Sequence, residues 1–503
     1  MIALVASACG SSGSKSAGPR PTTGASAEPA TQPISDAVPA GAKRLHLEVG
    51  PITVEPGQNN IAYTKERIPQ PTEDGWIVGI TPNIRKADGT VPPVDVIHLH
   101  HGVWLNMSAH DVTRQRLPER FFAVGEEKTR MILPKGYGYA YKTSDRWLFN
   151  YMIHNLKPKP DKVWVTYDID FVPASSPAAQ GIVPVRPIWM DVQNGSIYPV
   201  FDVIRGTGHK GTYTYPTDDP NAYGPNQRKK NEWTVDRDGT LVATAGHMHP
   251  GGLHTDLYLE RGTSTARLFE SQAHYYEPAG AVSWDVATTA TPADWRVAVH
   301  AGDVLSTTAT YDSKTASWFE SMGIMVVWMA DGTKGADPLT THVDGPGLLT
   351  HGHLPENNNH GGKPAPGDYV DETKLPSQVV PAGLTLPIDD FAYARGDMSE
   401  ATSVPTVKQG GTLTFTNNDA PKSNGIWHTI TACQAPCDLS TGVAYPLANG
   451  SINFDSGELG NAGPPTAGRV TWQVPANLPP GTYTYFCRIH PFMRGAFRVT
   501  ASS

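Results

Sequence analysis

Cysteine is scarce, with four in 503 residues, one at position 9 and three between 433 and 487. The long span between them therefore has no disulfide framework and must be held by strand packing alone. Charged residues make up only 17 % of the chain and the net charge is −8, which excludes the basic footprint of a nucleic-acid or anionic-lipid binder. No apolar run reaches the ~18 residues of a membrane-crossing helix. No apolar repeat of helical period is long enough to predict an amphipathic helix. Phosphate-cradling loops, dinucleotide fingerprints and nucleophile elbows are also missing from any credible setting. What the chain does have is glycine (49) and proline (45), about a fifth of all residues, and 18 histidines. So many breakers point to short strands joined by turns, an all-β fold. The length suits about three domains of ~150 residues. The histidines make metal binding the chemistry to look for.

The N-terminus ends a small-residue stretch in Ala8-Cys9 and runs on through a Gly/Ser/Ala/Pro-rich segment. This pattern resembles the end of a bacterial lipoprotein signal, with Cys9 as the lipidated residue, although no basic region precedes it. Residues 10–41 lack the apolar content to fold and read as a flexible tether.

At the other end, β-rich segments at 412–417, 469–474, 482–486 and 496–500 alternate with Gly, Pro and Asn, as in a small β-sandwich. Within them stands Phe486-Cys487-Arg488-Ile489-His490-Pro491-Phe492-Met493, and upstream Trp427-His428-Thr429. One thiolate, two imidazoles and a thioether are the donor set of a type 1 (blue) copper site, with His428, Cys487 and His490 in the plane and Met493 axial. The segment resembles the cupredoxins, and its short ligand loop is most similar to that of the amicyanins. Cys433 and Cys437 are close enough in sequence to pair, which fits an oxidising compartment.

The middle of the chain is also strand-like. In 161–171, Val163, Val165, Tyr167, Ile169 and Phe171 alternate onto one face, and 323–329 is continuously apolar. Four clusters stand out: Ile97-His98-Leu99-His100-His101-Gly102, His154 in 150–155, Gly246-His247-Met248-His249-Pro250, and Met322 before an apolar strand. In that order they resemble the copper type II, ascorbate-dependent monooxygenases, the peptidylglycine and dopamine hydroxylases. Ala301-Gly302-Asp303 resembles that family's Gly-Asp turn. The resemblance covers about residues 90–335 and implies two jelly-roll-type sandwiches with one copper each. His100, His101 and His154 would hold the first copper. His247, His249 and Met322 would hold the second, catalytic one, facing the first across a wet cleft. A thioether beside two imidazoles favours Cu(I), the state that meets O2. On a regular strand, however, His98 and His100 share a face and His100 and His101 do not. The pair is either His98 with His100, or His100 with His101 across a bulge. The sequence departs from the family at Ala245 and Val326, where the peptidylglycine enzymes carry the Arg and Tyr that hold a substrate carboxylate, so a glycine-extended peptide is not the expected substrate.

A further His-rich stretch, His351, His353 and His360, is either a linker loop or an extra metal site. The expected organisation is a signal remnant and tether (1–41), a first sandwich (42–200), a second (201–345), a linker (346–385) and a cupredoxin domain (386–503). The expected cofactor is copper, three ions per chain, one type 1 and two type 2-like. The expected function is an exported, lipid-anchored or secreted monooxygenase that hydroxylates a C–H bond of an organic substrate with O2. Electrons would come from the fused blue-copper domain, with His490 as their exit if its edge is exposed, and ascorbate or a redox protein is the expected one-electron partner. The alternatives are a non-catalytic copper or electron-transfer lipoprotein, and a multicopper oxidase or nitrite reductase-like enzyme. Against the last, Phe486 and Arg488 stand where a trinuclear cluster needs histidines. No nucleic acid is expected, and no membrane contact except through the lipid.

Overall fold

A computed structural model describes residues 33–55, 61–92, 96–125, 128–155, 160–194, 199–219, 231–276, 286–314, 317–354, 372–393, 402–422, 426–435, 437, 444–445, 454–461, 466, 468–490 and 493–502. Among these the chain is strand throughout, with short 3-10 turns and no α-helix. The backbone therefore satisfies its polar groups through ladders, as the breaker-rich composition requires. Cys9 and His360 lie outside the described residues.

The largest sheet has ten strands. Lys43–Val54, Asp161–Pro173, Gly75–Lys86 and Tyr137–Tyr141 lead into Val183–Asp191, which pairs antiparallel with Ile324–Asp331 and so continues into Gly239–Ala243 and Val297–Val299. One half of this sheet faces a four-stranded sheet made of Ala62–Tyr63, Trp147–Asn155, Ile97–His110 and Pro118–Val124. Between them lies a core of Ile77, Ile80, Trp104, Phe149 and Ile153, together with Val163, Val165, Tyr167, Ile169 and Phe171. These last five are the alternating face expected from the sequence, and each is fully buried, worth about 1.5–3 kcal/mol apiece. The other half faces a seven-stranded sheet around Gly252–Arg261, Ser264–Tyr275 and Val304–Asp312, with Leu257, Leu268, Phe269, Met325 and Met329 between. The two sandwiches thus share one sheet across the expected boundary at 200, because the apolar strand after Met322 is buried on both faces and pairs with 183–191.

The third unit packs a five-stranded sheet (Ser377–Val379, Val404–Lys408, Arg494–Thr500, Gly481–Phe486, Thr431–Cys433) on a four-stranded one (Ala392–Tyr393, Leu384–Asp389, Leu413–Asn417, Thr471–Gln473). Phe415, Trp427, Tyr485 and Phe497 fill the space between. Its first strand begins at Ser377, ahead of the expected 386. It meets the second sandwich directly: Ala444–Tyr445 pairs with Ser317–Ser321, and Ile204 packs on Cys433, Cys437 and Phe486.

Candidate metal centres

The first centre forms at one end of the third unit. Cys487 follows the strand Gly481–Phe486, and the backbone N–H of Cys487 donates to the Met493 carbonyl (3.1 Å) while that of Met493 donates to His490 (2.8 Å). These two bonds hold Cys487, His490 and Met493 together. His428 arrives just before Thr431–Cys433, the neighbour of the Cys487 strand. Its Nδ1 lies 3.1 Å from Nδ1 of His490, and the Cys487 sulfur lies 3.5 Å from His490 and 3.9 Å from His428. Met493 is buried in the same core. Burial works against a thiolate at Cys487, but His490 and His428 outweigh it and hold the thiol well below its usual range. The N–H of Thr429 donates to the sulfur (3.3 Å). Nε2 of His428 is held by Asp419 at 2.9 Å, the outer-shell carboxylate that fixes a ligand ring. Burial pushes that carboxyl up, and the His428 and Lys422 contacts overcome it and hold it well below the usual range. Cys433 and Cys437 are joined in a disulfide.

The second centre is built between the sandwiches. In the strand Ile97–His110, the ladder to Trp147–Asn155 slips between Leu99 and His101. Ile97, Leu99 and Trp104 face the first core, whereas Val103 and Leu105 face Trp189, Met322 and Ile324 of the other sandwich. The bulge therefore turns His98, His100 and His101 to one face, and His154, directly opposite His98, to the same face. His247 enters from Gly246–His247, paired to Ile324, and His249 follows in a turn closed by Gly252 N–H to the His249 carbonyl (3.0 Å). Gly246 and Gly251 are required. A Cβ on Gly246 would meet Thr255 at 2.3 Å, and Gly251, at φ +92, abuts the Trp318 ring. The Tyr311 hydroxyl donates to the Met322 carbonyl (2.7 Å) and accepts from the N–H groups of His249 (3.1 Å) and Met322 (3.2 Å), tying the His and Met segments together.

The six histidines are all buried and form one series. Ring centroids are 4.7 Å apart for His98 and His154, 4.4 Å for His154 and His100, 4.3 Å for His100 and His249, 5.3 Å for His249 and His247, and 6.3 Å for His247 and His101. One ring nitrogen each of His98, His100 and His154 lies within 4.8 Å of the other two, and Nε2 of His98 is 2.9 Å from Nδ1 of His154. So His98 completes the set with His100 and His154, and His101 instead neighbours His247. The wet cleft between two separated coppers is also corrected: the shared sheet closes the sandwiches until His100 and His249 touch. Nδ1 of His101 and Nε2 of His154 are buried with no hydrogen-bond partner. Burial, with His247 and His100 beside it, pushes His101 down to about 3. Burial and neighbouring imidazoles likewise hold His154 and His249 well below the usual range. Neutral, converging, buried imidazoles of this kind are fit to bind copper.

His490 is fully buried, which corrects the expectation of an exposed edge. A positive charge on His490 adds, as the smallest of the causes, to holding His154 low. Beside His247 a cavity of about 50 Å³ is lined by Phe122, Met131, Trp328, Ala245 and Val326, with Arg130. The two positions that depart from the hydroxylases thus form part of an apolar wall. His351 is buried with Nδ1 on the Gly352 carbonyl (2.7 Å), beside Tyr276, and His353 neighbours the same ring. Sequence reasoning missed Asp419, Tyr311 and the acidic side chains between the second and third units. Only Arg488, in a ligand loop otherwise apolar, signalled the last.

Comparison with known protein families and with curated proteins gives no match. Among solved structures the chain is similar to a mutant of amicyanin in its Cu(I) form (19 % identity, 24 % of this chain and 87 % of that one, TM-score 0.16). It is also similar to amicyanin from Paracoccus versutus (18 %, 26 % and 92 %, 0.14). A third similarity is to a Cu-containing nitrite reductase from Thermus scotoductus (14 %, 54 % and 59 %, 0.17).

Proposed function

We propose that the chain is a copper-dependent oxidoreductase in which the Cys487 centre passes single electrons to the six-histidine cluster, where dioxygen is reduced. The observation that carries this reading is the cluster itself: six buried imidazoles from two sandwiches in one series, beside a unit carrying Cys487 that pairs with the second sandwich. Copper, when bound, supplies the one-electron chemistry at both centres. The chain supplies the rest. His98, His100 and His154 offer one three-nitrogen set, and His247 stands beside it with His249 and His101 as its ring neighbours. Asp419 and the Thr429 N–H hold the blue-site donors in place, and burial keeps bulk water from the cluster.

A second reading, hydroxylation of a C–H bond, is favoured by the apolar cavity at His247 and by Met322, whose backbone Tyr311 ties to His249. It takes a small, largely apolar substrate. Export with an anchor at Cys9 belongs to both readings, and the Cys433–Cys437 disulfide supports it.

The test is dioxygen consumption by copper-loaded, reduced full-length chain, with and without a panel of small apolar substrates. Consumption from reductant alone supports the first reading. Consumption coupled to an oxygenated product, and stopped by Met322→Ala with the blue band intact, supports the second. A loaded chain that consumes no dioxygen is a carrier, and both readings fail.

A further inference from the structure

Resting on the electron transfer just proposed, we infer that Arg488 is a positioning residue that seats the blue-copper unit on the second sandwich and sets the rate of electron passage to the histidine cluster. Arg488 directly follows Cys487, and its side chain is buried. Its backbone N–H donates to Thr429 Oγ1 (2.9 Å), while Thr429 N–H donates to the Cys487 sulfur. The backbone of Arg488 is thus tied to the thiolate, while its side chain points away to the carboxylates.

The guanidinium faces two carboxylates of its own unit, Asp455 at 3.0 Å from Nε and Glu458 at 2.9 Å from Nη2. From the second sandwich it faces Asp202 and Glu320. The Glu320 carboxyl hydrogen-bonds Glu458 across the junction, and Asp202 accepts from the Glu320 N–H (3.3 Å). Glu320 has a left-handed backbone (φ 56), rare for a residue other than glycine. Glu320 lies in Ser317–Ser321, the strand that pairs with Ala444–Tyr445 of the third unit. A run of contacts therefore leads from Cys487 through Arg488 and Glu458 to Glu320, two residues before Met322.

One buried guanidinium serves the half-buried Asp455 and Glu458 and the buried Glu320, with Asp202 at the exposed edge of the group. Without it they face one another unpaired, which burial makes costly. The planar fork reaches Asp455 and Glu458 at once, a geometry that a lysine ammonium does not reproduce.

The test uses the full-length, copper-loaded chain. The blue copper is reduced by a flash and its reoxidation by the cluster is followed, in wild type, Arg488→Lys, Arg488→Gln and Glu458→Gln. The blue band and its potential are read in parallel. Reoxidation is expected to slow about tenfold or more in Arg488→Gln, the loss of a buried charge-assisted hydrogen bond, and less in Arg488→Lys, with band and potential kept. Glu458→Gln, which does not adjoin the thiolate, is expected to slow it too, and decides the matter if Arg488→Gln disturbs the blue site. Unchanged reoxidation in Glu458→Gln, or in Arg488→Gln with an intact band, overturns this inference alone and leaves His490 to His154 as the route. A wild-type blue copper that the cluster never reoxidises overturns both this inference and the electron transfer it rests on.

Discussion

The two centres are made in opposite ways. The Cys487 centre takes Cys487 and His490 from positions three apart in the chain, and only His428 from elsewhere, so its geometry is written locally. The six-histidine cluster takes four rings from two neighbouring strands of one sandwich and two from a turn of the other. It exists only because a shared sheet brings those surfaces together. A local centre tolerates changes in the rest of the fold. A cluster assembled over long range depends on residues that never touch metal.

The sharpest way to break the comparison is Cys487→Ser. It is expected to abolish the blue absorption entirely while leaving the copper content of the cluster unchanged. Metal analysis beside the visible spectrum checks this, and loss of metal from both would show the centres to be one unit.

Next in size is a background effect that touches neither centre. Glu119 is buried, hydrogen-bonded by Tyr139, and pushed up from 4.5 to about 7, chiefly by burial. The folded chain therefore holds a proton that the unfolded chain releases above pH 4.5. The stability this gives is complete below that value and is lost as pH rises through about 7. Glu119→Gln is expected to flatten the profile, by about 3 kcal/mol between pH 4 and 8. Thermal melts across that range measure it, and an unchanged slope would assign the proton elsewhere.

Asp419→Ala acts on the blue centre alone. Loss of the carboxylate behind His428 is expected to weaken copper binding there about 10–100-fold, read by competition with a chelator. The smallest change sharpens the comparison from the cluster side. Tyr311→Phe removes one hydroxyl shared by the His249 and Met322 backbones, and is expected to lower stability by about 1–2 kcal/mol. It should also reduce cluster copper while leaving the blue band as it was. A variant with full cluster occupancy would show that the tie is dispensable.

This difference also explains what was legible in the chain. Spacing alone pointed to the grouping of Cys487 and His490 with His428, since Cys487 and His490 are near neighbours in the chain, and strict alternation revealed the buried face at 163–171. Both depend on short-range geometry. The choice between His98 and His101 was not legible, because it turns on a bulge between Leu99 and His101 that only the pairing with 147–155 defines. The closing of the cleft was hidden for a similar reason. It follows from the 183–191 strand joining 324–331, a pairing of residues more than a hundred apart. Asp419, Tyr311 and Glu320 carry no motif, and they acquire a role only when the fold places them.

The most direct test of the account is a copper count with electron paramagnetic resonance on the intact chain. The account predicts three ions, one with the signature of the Cys487 site and two held by the six histidines closely enough to be magnetically coupled. A single copper, or two further ions that behave independently of one another, would contradict it.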